Sequence, residues 1–318
     1  MEMFSNKVAK DRIGPLRKSS ALNPLREVER YFLQEMKHYE KDKRYKTECG
    51  YDVMAQELPY FKTLNYTEYA SCFIIHPLNL EMRLRQIRHA YEDDIENILD
   101  FASYFKDNIE NKSANKYKDR QTDFDKWQEP TDNLCVLVGS NKLKERFCLN
   151  RLRWLSTEHD SNILYKPHPI TTHQIIGELK DFLGEHKLLP RDADVYHYLQ
   201  NAHTVFTSHM SETCLYAAVL GKWVEPVEVY QKVHQGSFYH INRQIFLRQA
   251  EGQDVVEWVN KTFSNYKSGI IQPAVDENWR EKIDKYLEYI HSERAKYKDW
   301  YIEHIKESVR KPPEGNTR

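Results

Sequence analysis

The chain has 318 residues, and its 47 Lys and Arg stand against 48 Asp and Glu for a formal charge of −1. That balance excludes a global field drawing in nucleic acid or anionic membrane, although a local basic groove stays open. The length admits two domains or one large α/β unit with helical additions, and 21 Tyr against 10 Gly mark a helix-rich chain with half-polar packing.

Five cysteines (Cys49, Cys72, Cys135, Cys148, Cys214) are scattered and never in CxxC spacing. They read as free thiols, mostly buried, in a reducing cytosol. The N-terminus has no apolar leader-like stretch, and no apolar run approaches the ~20 residues that span a bilayer. A cytoplasmic location without a membrane span is the expectation.

Residues 1–46 form a polar, locally basic arm (Lys7, Lys10, Arg12, Arg17, Lys18), then a helix opening at Asn23-Pro24, where Leu25, Val28, Tyr31, Phe32 and Met36 recur near helical spacing. Residues 47–131 read as an acceptor-side α/β or helical domain plus a polar linker. Within it, Cys72–Ile75 is a buried-strand candidate ending at His76-Pro77. A helix is predicted from about Leu80 to Phe105, with Glu92, Asp93 and Asp94 at its centre. The polar stretch 107–131 reads as a surface connection.

The pattern changes at 132. Leu134–Val138 is a continuous apolar run ending in Gly139-Ser140, as in a central parallel strand entering a tight turn. A helix around Leu143–Trp154 follows. Then come a strand at Ile163–Tyr165 and helices at Thr171–Leu183 and Val195–Ala202. A strand at Thr204–Thr207 and a helix at Ser211–Leu220 complete the alternation. Gly221 stands where a C′ glycine stops a helix, and Lys222–Val224 begins another strand. This alternation means βαβ units and a parallel sheet, so 132–265 is read as a Rossmann-like domain. Residues 266–318 are charged but carry Trp279, Ile283, Tyr286, Leu287, Tyr289, Ile290, Tyr297, Trp300, Tyr301 and Ile305 at three-to-four spacing. C-terminal helices packing back on residues 20–106 are expected.

Ligands of an open α/β sheet bind beyond the carboxyl ends of its strands, where helix amides point outward. Three such exits carry suggestive residues: Gly139, Ser140 and Asn141; Lys166, Pro167, His168 and Pro169; Ser208, His209, Ser211 and Glu212. Serine hydroxyls and helix-start amides suit a phosphate. An imidazole fixed between two prolines could donate to a leaving phosphate, with Lys166 supplying charge nearby. The same residues also serve as a rigid strand exit and a helix N-cap. The histidines do not fall at ligand spacing with cysteine, so no metal is expected, and neither a P-loop nor a GxGxxG is present.

The segments YKPHP and, about forty residues later, VFTSHMSETCLYAAVLGKWVEP resemble GT-B glycosyltransferases with an HP motif and a serine motif. Bacterial capsule-type Kdo transferases and sialyltransferases belong there, and glycerophosphotransferases of teichoic acid synthesis look similar. The resemblance covers about residues 132–230. It implies a GT-B-like α/β fold, with the C-terminal Rossmann-type sheet beside a divergent, helix-rich N-terminal domain. His168, Pro169, Ser208 and Ser211 are then implied as donor-phosphate contacts. Many relatives place an acidic residue mid-helix where this chain has Tyr216; Glu212 precedes it by one turn. An inverting enzyme of this kind needs an acceptor-side base, for which Asp93 and Asp94, and then His76, are the candidates. The reading is a glycosyltransferase using a CMP- or UDP-sugar as substrate, with no cofactor. Its acceptor would be a polysaccharide or a hydroxylated DNA base. The alternatives are a glycerophosphotransferase of the same fold or a non-catalytic GT-B-like binding module.

Overall fold

In the computed structural model, the described residues are 23–40, 46–49, 63–68, 72–77, 80–111, 133–137, 146–159, 162–169, 171–191, 193–227 and 238–310. The fold is helix-rich α/β with two four-stranded sheets. The strands are β1 (Lys46–Cys49), β2 (Thr63–Glu68), β3 (Phe73–Pro77), β4 (Asn133–Val136), β5 (Ile163–Lys166), β6 (Thr204–Thr207), β7 (Trp223–Pro226) and β8 (Ile270–Ile271). The helices are α1 (Asn23–Glu40), α2 (Leu80–Glu92), α3 (Phe101–Glu110), α4 (Arg146–Glu158), α5 (His173–Leu183), α6 (Val195–Asn201), α7 (Thr213–Val219), α8 (Tyr239–Ala250), α9 (Val255–Ser264) and α10 (Trp279–Arg310).

The second sheet, ordered β5-β4-β6-β7, is wholly parallel. Alternation divides its residues between two cores. Leu134, Val136 and Val205 face a core built with α7 and α9, whereas Cys135, Tyr165 and Phe206 face Leu152, Leu155, Ile175 and Leu179 of α4 and α5. Burial on both faces is why these strands are short apolar runs without polar alternation. Each large side chain so buried stabilises the fold by about 1.5–3 kcal/mol.

The other sheet, ordered β1-β2-β3-β8, is mixed: β1 and β2 are parallel, and β3 is antiparallel to both of its neighbours. Its closing strand, β8, comes from the far end of the chain. Gly269 makes that closure, with a left-handed φ of 63° and a carbonyl that accepts from Ile75 N at 2.8 Å. A Cβ there would lie 2.2 Å from the Ile75 carbonyl oxygen, so only glycine fits. Phe73, Ile75 and Ile271 pack with Phe32 of α1 and with Trp279, Ile283, Tyr286, Leu287 and Ile290 of α10. Tyr31 Oη donates to the Asp284 carboxylate at 2.9 and 3.0 Å, and Arg280 pairs with Glu27. The apolar stripe from Trp279 to Ile290 thus lies on α1 and the mixed sheet, and the tail from Trp279 is one 32-residue helix; the side chains of Tyr297, Trp300, Tyr301 and Ile305 lie outside the described residues.

The helix expected from Leu80 to Phe105 is in fact two, α2 and α3, separated by residues 93–100. Tertiary hydrogen bonds break it. Asn265 Nδ2 donates to Asp93 at 2.9 Å, Leu99 N donates to Ser264 Oγ at 2.8 Å, and Asp100 caps α3 by accepting from Ser103 N at 3.0 Å. α3 then packs on α7, with Phe105 edge-on to Tyr216 and to Phe263 of α9. Helix α7 ends at Gly221 (φ 73°), whose N–H donates to Ala218 O while Lys222 N donates to Ala217 O, both at 3.0 Å. That paired bonding is a Schellman stop. The basic arm before residue 23 and the linker 112–131 lie outside the described residues, as do Gly139, Ser140 and Asn141. No described helix is long and apolar enough to cross a membrane.

Candidate functional site

In the parallel sheet the chain passes from β4 to β5 on one side and returns to β6 on the other. β4 is therefore the switch point, the place at which open α/β sheets bind their ligands beyond the strand ends. Val136 is level with Lys166 on one side and Thr207 on the other. The residues leaving β5 and β6 accordingly share one rim, two strand spacings or about 10 Å apart.

At the β5 exit, Lys166 is buried, and its ammonium donates to Pro167 O at 2.6 Å and Arg191 O at 2.7 Å. Its charge staples two backbone segments at the rim. His168 and Pro169 are half-buried. The turn they form is closed by Thr171 N donating to His168 O at 2.9 Å and by Arg191 Nη1 donating to Thr171 O at 3.2 Å. The Thr171 hydroxyl is buried without a hydrogen-bond partner among the described residues.

At the β6 exit, Ser208 is buried, and its Oγ accepts from Met210 N at 3.1 Å. Ser211 is half-buried, and its Oγ accepts from Thr213 N at 3.2 Å, which leaves its O–H to donate elsewhere. Asn242 of α8 clamps this loop by donating from Nδ2 to His209 O at 3.0 Å and Ser211 O at 2.7 Å. Glu212 accepts from the Tyr216 hydroxyl at 3.5 Å, so Tyr216 addresses the carboxylate one turn before it. Thr207, the last residue of β6, has a buried hydroxyl without a partner among the described residues.

α8 also joins this rim to a second polar cluster. His240, in its first turn, lies with its ring 6.5 Å from that of His76 at the end of β3. Both rings and the Arg83 guanidinium of α2 are buried. His76 Nδ1 meets Pro77 O at 2.9 Å; a carbonyl only accepts, so that nitrogen carries the proton. Desolvation, and then the Arg83 charge, pushes the His76 imidazolium down to about 3 and lowers His240 well below its usual value. Both rings are neutral near pH 7. Sequence reasoning reached His76 but missed Arg83, Gln86, His240 and Asn242. The signal was present, since Arg83 and Gln86 fall on the same helical stripe as the buried Ile87 and Ala90.

Asp93 follows the C-terminal end of α2, about 20 Å of helix from the end facing His76. It pairs with Lys267 at 2.7 Å. Burial raises its pKa, but bonds from Lys267 and Asn265 outweigh that and hold the carboxyl below its ordinary value. Asp94 is exposed. An Asp-x-Asp tripeptide, Asp192-Ala193-Asp194, also follows Arg191; Asp194 caps α6 by accepting from Tyr196 N at 3.0 Å, and Asp192 lies outside the described residues. Among the described residues no group of three or more His, Cys, Asp or Glu is arranged to hold a metal.

Comparison with protein-family models and with curated proteins finds no match. Among solved structures the chain is similar to a protein from Listeria monocytogenes described as a UDP-N-acetylglucosamine 2-epimerase, at 10% identity and a TM-score of 0.28. The alignment covers 47% of this chain and 48% of that one, so the chain spans about half the length of the structure it matches.

Proposed function

We propose that the chain is a metal-independent glycosyltransferase of the GT-B type, moving a sugar from a CMP- or UDP-sugar to an acceptor hydroxyl. The observation that carries this reading is the shared rim: His168 at the β5 exit and Ser208 and Ser211 at the β6 exit flank the switch-point strand. In the reaction the bond from the anomeric carbon to the phosphate oxygen breaks, and the nucleotide leaves with the electron pair. The acceptor oxygen bonds to that carbon and gives up its proton. His168 would donate to the departing phosphate, helped by the hydroxyls of Ser211, Thr171 and Thr207, in a rim already held by backbone hydrogen bonds. Glu212, oriented by Tyr216, would accept from the ribose. Of the carboxylates suggested as acceptor base, Asp93 is held below its ordinary pKa by bonds from Lys267 and Asn265, whereas Asp94 is exposed and open to an acceptor.

A thermal-shift screen with CMP, UDP, GDP, their sugars and a nucleotide-activated glycerol tests the reading, because a ligand of the folded state raises apparent stability by mass action. A sugar nucleotide that raises the melting temperature, and is slowly hydrolysed without acceptor by wild type but not by His168→Ala, supports it. A response only to the activated glycerol would replace sugar transfer with glycerophosphate transfer. No response to any nucleotide would end the reading.

A further inference from the structure

We propose that Arg83, Gln86 and His240 form an oxyanion site, taking a carboxylate or phosphate group where the first turns of α2 and α8 meet the end of β3. The inference is independent of the transferase reading. Arg83 is fully buried, and its one hydrogen bond runs from Nη1 to the Ser268 carbonyl. Nε and Nη2 have no partner among the described residues. Those two nitrogens present parallel N–H bonds on one edge of the guanidinium, the fork that grips a carboxylate or phosphate bidentately.

Among the described residues, no carboxylate is set against Arg83, and the groups that favour its charged form are the hydroxyls of Tyr286 and Tyr289. Its nearest ionisable neighbours at the junction, His76 and His240, are neutral, and Arg243 adds a further positive field at His240. The start of α8 has no side-chain cap and no acidic residue in its first turn, so its dipole adds partial positive charge. Burying a cation without a partner is strongly unfavourable. An anion removes that penalty, and the unpartnered Nε2 of Gln86 and Nδ1 of His240 supply two more positions to bond it. Gln86 stands three residues beyond Arg83 on the same face of α2.

The test is thermal melting of the full chain in sodium phosphate or sodium acetate, each against sodium chloride at matched ionic strength. A saturable rise in melting temperature is expected with at least one of the two anions, and which one responds identifies the group. Arg83→Met should melt no lower than wild type without anion yet lose that rise, the opposite of what a purely structural arginine would do. Gln86→Leu, a milder change, should weaken the apparent affinity several-fold and covers the case in which Arg83→Met fails to fold. No saturable rise in wild type, or an undiminished one in either variant, overturns the site.

Discussion

The rim of the parallel sheet and the junction beneath α2 and α8 are both polar and both largely buried, but they hold their spare hydrogen-bonding capacity differently. At the rim, the polar backbone is tied down by Lys166, Arg191, Ser208 and Asn242, and what remains unpartnered among the described residues are neutral groups, including the hydroxyls of Thr171 and Thr207 and the amide oxygen of Asn242. At the junction, the unpartnered group is a charged guanidinium beside two uncharged imidazoles. A neutral hydroxyl left unbonded costs about 1–3 kcal/mol, and an unpaired buried charge costs more. The rim is thus a prepared surface at modest expense to stability, whereas the junction is strained until something fills it.

The two regions share a support, and removing it should have the largest effect. Phe105 touches Tyr216 on the rim helix and Phe101 and Phe263 on the junction side. Phe105→Ala should cost about 3–5 kcal/mol, read as one cooperative transition in urea. Two separate transitions would mean that rim and junction are independent folding units.

That support was not legible in the sequence, because the predicted helix ran unbroken through Asp93 and Asp100, and besides the local Asp100 cap the break is held by Asn260 of α9 and Asn265 just after it, more than 150 residues away. The two-residue β8 was equally invisible, since its pairing with Phe73 and Ile74 has no local signature. The parallel strands were legible for the opposite reason. Burial on both faces forces a continuous apolar run, so Thr204–Thr207 was read to its exact bounds, and Gly221 marked its helix stop. At the candidate site, strand order alone put His168 and the serines on one edge. Arg83 was missed because a charge on an amphipathic helix normally faces solvent.

At the rim, His168→Ala should lower sugar-nucleotide turnover by about 10²–10³-fold, the usual loss for one donor to a developing anion. The melting temperature should hold, because a half-buried imidazole at a strand exit adds little packing. Unchanged turnover would take the chemistry away from the β5 exit. At the junction the corresponding signature is in pH. The folded His76 titrates near 3 and the unfolded one near 6.5, so between those values the unfolded chain binds a proton that the folded chain does not. Stability must then rise with pH across that window and fall as the solution is acidified below about 6.5. The slope is about 1.4 kcal/mol per pH unit for each such histidine, and His240 adds the same sign. Asp93 and Asp100, with lowered pKa values, contribute only at the acid end. Urea midpoints between pH 4.5 and 6.5 should show the slope in wild type and a shallower one in His76→Phe. A flat wild-type profile would mean that the two imidazoles are not buried neutral.

The smallest effect asks whether the rim holds its own shape. Thr172 caps α5 by accepting from Ile175 N at 3.4 Å, and its side chain is exposed. A cap deleted to alanine typically costs about 1 kcal/mol, and a long, exposed bond belongs at the low end, near 0.5. Thr172→Ala should therefore loosen the first turn of α5, seen as faster amide exchange there, with a small drop in melting temperature. Nucleotide affinity should stay at the wild-type value, because the His168 turn next to the cap is closed by Thr171 N and by Arg191 without help from Thr172. If affinity instead falls, the position of the imidazole depends on the helix start. The rim would then be no more prepared in advance than the junction.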